Sequence, residues 1–277
     1  GSSLPGGLSV DETMDAFANA LEGSGIEYRQ SNWYPPRFEL DSNWPRLPLG
    51  QRWLTGGLGG MCIGRNDEVF LLNRQNVVED DLDAALRAPP ILQLDTEGNT
   101  VKGWGDASLI GGRLHDCHAN ADGSLWLVPA ATGHIQLWSA NEELLMQIGE
   151  ANVFDSSDES RSGQPRNSDR AQFFLPAAID VDESTGEIFV ADGELPGGNS
   201  RIVVFDSSGA FLRQWRLQRD GNDQRIELPH CLRVSNDGLV YVCDRRADRI
   251  QVFDRAGNLQ RNIPLSFTAL TDASDRV

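Results

Sequence analysis

The 277 residues carry 41 acidic and 24 basic side chains, a formal charge of −17, and 39% of them are hydrophobic. That hydrophobic share can fill a core, which argues against wholesale disorder. A surface this negative repels phosphate backbones and anionic lipid, which argues against nucleic-acid and membrane-surface partners. Lys102 is the only lysine, which argues against Schiff-base chemistry. Cys62, Cys117, Cys231 and Cys243 show no CxxC spacing and are too few for a disulfide scaffold, so buried, inert thiols are expected. No apolar run reaches the length of a membrane span.

The chain opens on Gly1-Ser2-Ser3, which reads as the remnant of an expression tag and leaves room for a removed signal peptide. Residues 1–50 differ from the rest. Val10 to Leu21 has acids in its first turn and apolar residues at Met14, Phe17 and Leu21, which predicts a short amphipathic helix. The following stretch to Leu49 holds Pro35, Pro36, Pro45 and Pro48, which forbid a long helix. It is expected to be an extended strap laying Trp33, Tyr34 and Trp44 on the body formed by residues 51–277.

From about residue 54 the chain repeats. The strand texts Glu187 to Asp192, Arg201 to Asp206 and Phe211 to Trp215 return in the same order as Leu239 to Asp244, Arg249 to Asp254 and Leu259 to Ile263. Two weaker copies precede them, around His115 to Trp138 and Gly59 to Asp95. Each unit is four short β-type runs separated by Gly/Asp turns, and the period is about fifty residues. A lone four-stranded sheet cannot cover both its faces, so such units stack as blades of an all-β propeller. The polar segment Glu150 to Arg170 is expected to be a solvated excursion.

The blade spelling resembles NHL-repeat propellers, and residues 54–263 resemble the peptidyl-α-hydroxyglycine α-amidating lyase group. The matching text is Leu175 to Asp182, Ile188 to Gly193, Asn199 to Val203, Leu228 to His230, Val242 to Arg246, Arg249 to Phe253 and Leu72 to Arg74. The resemblance implies a six-bladed ring whose channel holds a zinc bound by three histidines from separate blades, with a structural calcium on the axis. It implies splitting of the C–N bond of a hydroxyglycine end into an amide and glyoxylate, in a periplasmic or extracellular setting. By position, it implies that His115 and His230 are two of the metal ligands and that Arg74 faces the substrate. Cys62 and Cys117 fall near positions whose backbone carbonyls meet the calcium.

Two departures stand out. The family's tyrosine follows the Asp-Gly of the third unit, but here Asp192-Gly193 runs into Glu194-Leu195-Pro196. The third histidine belongs to a last blade, and only four of the six implied units are recognisable, so the ring is expected to be incomplete within this chain.

On their own residues, His115 and His230 open equivalent innermost strands at the same offset before Asp122 and Asp237. Equivalent positions of different blades converge on the axis, and two imidazoles there can share a metal but leave a zinc short of ligands. The third-unit equivalent is Ala177. His118 and Asp116 are the nearby candidates for a third ligand or a supporting role, but strand alternation turns them away from His115 unless a bulge intervenes. Arg74 is the candidate clamp for a substrate carboxylate. Glu194 or Asp192 is the candidate base in place of the tyrosine. Gly56 to Gly60 lacks the residues of a phosphate loop and is expected to serve close strand packing.

The expectation is a metal-dependent lyase acting on a C–N or C–O bond of a small-molecule or peptide substrate. The alternatives are a non-catalytic propeller that binds a protein partner or ligand on its loop face, and a propeller hydrolase.

Overall fold

A computed structural model describes residues 39–219 and 227–265. The helix expected at 10–21, and Trp33 and Tyr34 of the strap, lie outside the described residues. Among the described residues no helix is long and apolar enough to cross a membrane.

The strands in chain order are β1 (Trp53–Leu54), β2 (Leu58–Ile63), β3 (Val69–Asn73), β4 (Leu86–Arg87), β5 (Ile91–Leu94), β6 (Thr100–Trp104), β7 (Leu114–Ala119), β8 (Leu125–Pro129) and β9 (Ile135–Trp138). They continue as β10 (Leu144–Ile148), β11 (Pro176–Asp182), β12 (Glu187–Asp192), β13 (Arg201–Phe205), β14 (Phe211–Trp215), β15 (Pro229–Val234), β16 (Leu239–Asp244), β17 (Arg249–Asp254) and β18 (Leu259–Pro264). Sixteen of them form four antiparallel sheets, ordered β2-β3-β5-β6, β7-β8-β9-β10, β11-β12-β13-β14 and β15-β16-β17-β18. These are the four blades expected from the repeats, and the protein is an all-β propeller. β1 and β4 form a separate two-stranded parallel pair.

The tight turns between strands use the chemistry their texts offer. Gly123, Gly186, Gly209, Gly238 and Gly257 all sit at positive φ, where a side chain would be strained. Asp122, Asp182, Asp206 and Asp254 accept backbone N–H bonds two residues on. Apolar residues of successive sheets then meet face to face. Phe70, Leu72, Ile91 and Trp104 of the first blade pack on Cys117, Leu125, Leu127 and Trp138 of the second. Val128 and Ile135 meet Ile179, Val190 and Val203. Phe189 and Val204 meet Leu232, Val242 and Phe253. The remaining face of the first blade, with Val69, Leu71, Leu92 and Leu94, is covered by Leu49, Trp44 and Trp53. The compact unit that includes the blades begins at Ser42, so Trp44 and Leu49 belong to the same unit as the blade they cover.

The innermost strands β2, β7, β11 and β15 neighbour one another in that order. Their approach is close enough to demand glycine. A Cβ on Gly59 would lie 1.8 Å from the Leu114 carbonyl oxygen, and one on Gly60 would lie 2.4 Å from that of His115. Gly59→Ala is therefore expected to cost about 1–3 kcal/mol through overpacking. Gly112→Ala, with nothing within 4 Å of its Cβ, is expected to stay within about 0.5 kcal/mol. Urea unfolding of the two variants checks the contrast.

The cysteines correct the sequence expectation. They are not free thiols: Cys62 pairs with Cys117 and Cys231 with Cys243. The first bond joins the inner strands of two blades across 55 positions, and the second joins β15 to β16 at directly opposed residues. Two disulfides are consistent with an oxidising compartment.

The 150–170 segment is also more than a solvated excursion. Asp155 is fully buried and accepts from Ser168 and Asn199, while its carboxylate pairs with Arg201 and Arg170.

Candidate metal centre

Each inner strand carries a register shift of the β-bulge kind right after its first residue. The register skips between Leu58 and Gly60, Leu114 and Asp116, Pro176 and Ala178, and Pro229 and Cys231. The residues left over are Gly59, His115, Ala177 and His230. A bulged residue is freed from the strict alternation of its strand and can be re-aimed. At this level of the channel two blades therefore present imidazoles, while the other two present a hydrogen and a methyl that leave room for them.

The two rings stand nearly perpendicular with centroids 4.9 Å apart. Glu194, from the loop after β12, enters between them. Its Oε2 lies 3.0 Å from His115 Nε2 and 2.9 Å from His230 Nε2. The Glu194 N–H donates to the Leu175 carbonyl, and Gly193 is pressed so close to Pro229 that a Cβ would fall within 2.6 Å of its ring. The loop thus has little freedom to withdraw the carboxylate. Glu194 is 2% exposed. Burial works to raise its pKa, but the His115 and His230 imidazoles beside it outweigh that and hold the carboxyl well below the usual carboxylate range.

The donor arrangement fits a cation. His115 Nδ1 lies 2.7 Å from the Ala177 carbonyl and donates to it, so Nε2 is the nitrogen turned toward Glu194. Glu194 Oε2 is buried and, although within 3 Å of both imidazoles, has no partner at hydrogen-bonding angles. A carboxylate oxygen seated between two imidazole nitrogens is a donor set that suits a cation. Ligand atoms held at zinc distances of about 2.0–2.1 Å in a tetrahedron stand roughly 3.3 Å apart, close to the spacing seen here. Among the described residues, His115, Glu194 and His230 are the one group of three such side chains able to hold a metal.

The other expected residues fall as follows. Arg74 reaches the same end of the channel, its Nε donating to the carbonyl of Leu114, the residue before His115. His118 is not with the cluster: three residues further along β7, its Nδ1 lies 2.6 Å from Asp180 Oδ1. Asp116 is turned into the blade interface, where it accepts from the Ile179 N–H and pairs with Arg233. Asp192 is corrected from a candidate base to a packing residue. It is fully buried, accepts from the Phe174 and Leu175 N–H groups, and pairs with Arg201. Asp244 does the same for Leu228 and Arg249 in the fourth blade. Cys62 and Cys117 offer no sulfur ligand, because both are in the disulfide. Two arginines that the repeat pattern does not single out also reach the cluster. Arg113 Nη2 lies 2.5 Å from Glu194 Oε1, and Arg245 Nη1 lies 3.1 Å from His230 Nε2.

The NHL-repeat family model matches residues 228–253, the fourth blade through β17. Peptidyl-glycine alpha-amidating monooxygenase A of Xenopus laevis is 28% identical over 244 residues, covering 81% of this chain and 24% of that protein. The Rattus norvegicus monooxygenase is 33% identical over 145 residues, half of this chain and 13% of its own length. The chain is an NHL-repeat protein. Its relation to the amidating monooxygenases is distant, and it spans about a quarter of the Xenopus relative's length. Human NHL repeat-containing protein 3 is 24% identical over 224 residues, covering 79% of this chain and 57% of that protein. Among solved structures, a streptogramin B lyase superposes with a TM-score of 0.51 at 16% identity, covering 78% of this chain and 57% of that one. A virginiamycin B lyase from Staphylococcus aureus superposes at 0.50 with 13% identity, over 76% of this NHL-repeat chain and 57% of its own. These structural likenesses speak for the propeller fold alone.

Proposed function

We propose that this NHL-repeat protein is a metal-dependent lyase related to the α-amidating lyases, cleaving a C–N or C–O bond of a small hydroxy-acid-like substrate or hydroxyglycine peptide end in the propeller channel. The observation that carries the reading is the convergence of His115, Glu194 and His230, each from a different blade, on one point of the channel. These three residues would hold the metal, with zinc as the ion their donor set suits. A calcium near the carbonyls of Cys62 and Cys117 belongs to the same reading, and the disulfide keeps those two inner strands together. The two disulfides support a periplasmic or extracellular site of action.

When bound, a zinc ion supplies Lewis acidity that lowers the pKa of a substrate hydroxyl. Glu194 then acts as a ligand, not as the base the sequence suggested. Arg74 and Arg245 flank the histidines and can grip a substrate carboxylate, a geometry to which guanidinium groups are suited. In the reaction the hydroxyl loses its proton, its oxygen–carbon bond becomes a carbonyl, and the C–N bond breaks. The nitrogen takes up a proton, so an amide and glyoxylate leave without net consumption of water.

Zinc-loaded protein incubated with a peptide ending in α-hydroxyglycine is expected to release glyoxylate above the uncatalysed rate, and His230→Ala to bring release back to background. No release from a protein that binds zinc would overturn the lyase reading. That outcome would select a second reading, a ligand-binding propeller, which the carboxylate in the tyrosine's place favours.

A further inference from the structure

Glu194 has two carboxylate oxygens, and the structure gives them separate tasks. Oε2 lies between the imidazoles, while Oε1 is 2.5 Å from Arg113 Nη2. We propose that Arg113 is a positioning residue that fixes Glu194 as a single-oxygen metal ligand, and so lets three blades complete a centre without a third histidine. The inference rests on the metal-centre reading.

Three observations support it. Arg113 stands two residues before His115, at the entry to β7, so the same piece of backbone sets both the imidazole and the guanidinium. Its φ is +57°, a left-handed conformation that glycine adopts freely and arginine does not. The chain offers two glycines immediately before it, Gly111 and Gly112, yet the strained position carries the long cation. The pairing is also asymmetric in burial, with Arg113 38% exposed and Glu194 only 2%. The guanidinium reaches in from the channel mouth to meet a carboxylate that cannot move out.

The consequence is chemical. With Oε1 held by a charged donor, Glu194 cannot chelate through both oxygens. It fills one coordination position and leaves the others open to substrate. Without Arg113, Oε1 is free to turn toward the ion, raising the coordination number and closing positions a substrate would use. The charge of Arg113 also tempers the negative charge that Glu194 brings to the ion.

Cobalt(II) titration of the metal-stripped protein reads this directly, because d–d absorption reports coordination number. The wild type is expected to bind one cobalt with the intense absorption of a low-coordinate site. Arg113→Met and Arg113→Gln are expected to change cobalt affinity by about 10–100-fold, the usual size of effect when a partner orienting a ligand is removed. Their absorption should weaken toward that of a higher-coordinate site, and Arg113→Lys should recover most of the affinity and the spectrum. Thermal melts of the metal-free variants identify those that fold, and either neutral variant suffices. Wild-type affinity and an unchanged spectrum in a folded Arg113→Met or Arg113→Gln protein would overturn the assignment. A wild type that binds no cobalt would instead overturn the metal centre itself, and the inference with it.

Discussion

Zinc affinity is expected to fall on the order of 10³-fold when His230 or His115 alone becomes alanine, and stoichiometric binding to disappear in the double variant. Complete protein zinc sites are worth about 10–16 kcal/mol at neutral pH. Shared among their ligands, that is roughly 3–4 kcal/mol each, or about 10²–10³ in dissociation constant. Here the loss falls at the upper end, because only three side chains converge and none can replace a missing imidazole. His118 is tied to Asp180, and both thiols of the Cys62–Cys117 pair are in a disulfide. Competition with a chromophoric chelator measures the constants. His118→Ala is the control, expected to bind zinc within about threefold of wild type, since its side chain is held elsewhere. Equal losses in His118→Ala and His115→Ala would contradict the assignment of ligands.

Arg201→Met is expected to be the most destabilising single change outside the centre. Arg201 is fully buried, and its guanidinium lies between Asp192 and Asp155, both also fully buried. It further donates to the carbonyls of Ser168 and Gln172 and to Gln214. Burial raises the pKa of Asp192 even with Arg201 beside it. Removing the cation leaves two interior carboxylates short of their main counter-charge, a loss of about 3–5 kcal/mol for a broken buried pair. For a domain of this size that corresponds to a fall of roughly 6–20 °C in melting temperature. Arg170→Met removes another partner of Asp155, but from a side chain 43% exposed, so less than about 1 kcal/mol is expected. Calorimetry of the two variants separates the cases, and similar melting temperatures would show that the buried network is not what pins the 150–170 segment.

The blades were legible because their signals are local. In the third and fourth units, β-branched runs bounded by Asp-Gly and Ser-Gly turns gave strands that match β12 to β14 and β16 to β18 nearly residue for residue. The alignment of His115 with His230 could also be read, because both occupy the same offset within their units. Their aim could not be read, since it depends on bulges that show only in the pairing register of neighbouring strands. The same limit explains Glu194. The sequence marked it as standing where a tyrosine was expected, yet whether it serves as base or ligand depends on a loop locked by Leu175 and Pro229.

Asp192 misled for the opposite reason. A conspicuous Asp-Gly at a strand end belongs to a packing device, as its repetition at Asp244 with Arg249 shows. That repetition was present in the text as Asp192/Arg201 and Asp244/Arg249. The Cys62–Cys117 bond joins positions 55 apart and needed the adjacency of β2 and β7 to be seen. Arg113 did leave a trace, a long cation directly after two glycines and just before His115.

X-ray absorption at the zinc edge tests the central claim most directly. Protein loaded with one equivalent of zinc should show two imidazole ligands and oxygen donors at about 2.0–2.1 Å, with no sulfur. In the His115→Ala/His230→Ala variant the imidazole scattering should vanish. Zinc bound without imidazole scattering in the wild type, or imidazole scattering that survives the double substitution, would contradict a centre built from His115, Glu194 and His230.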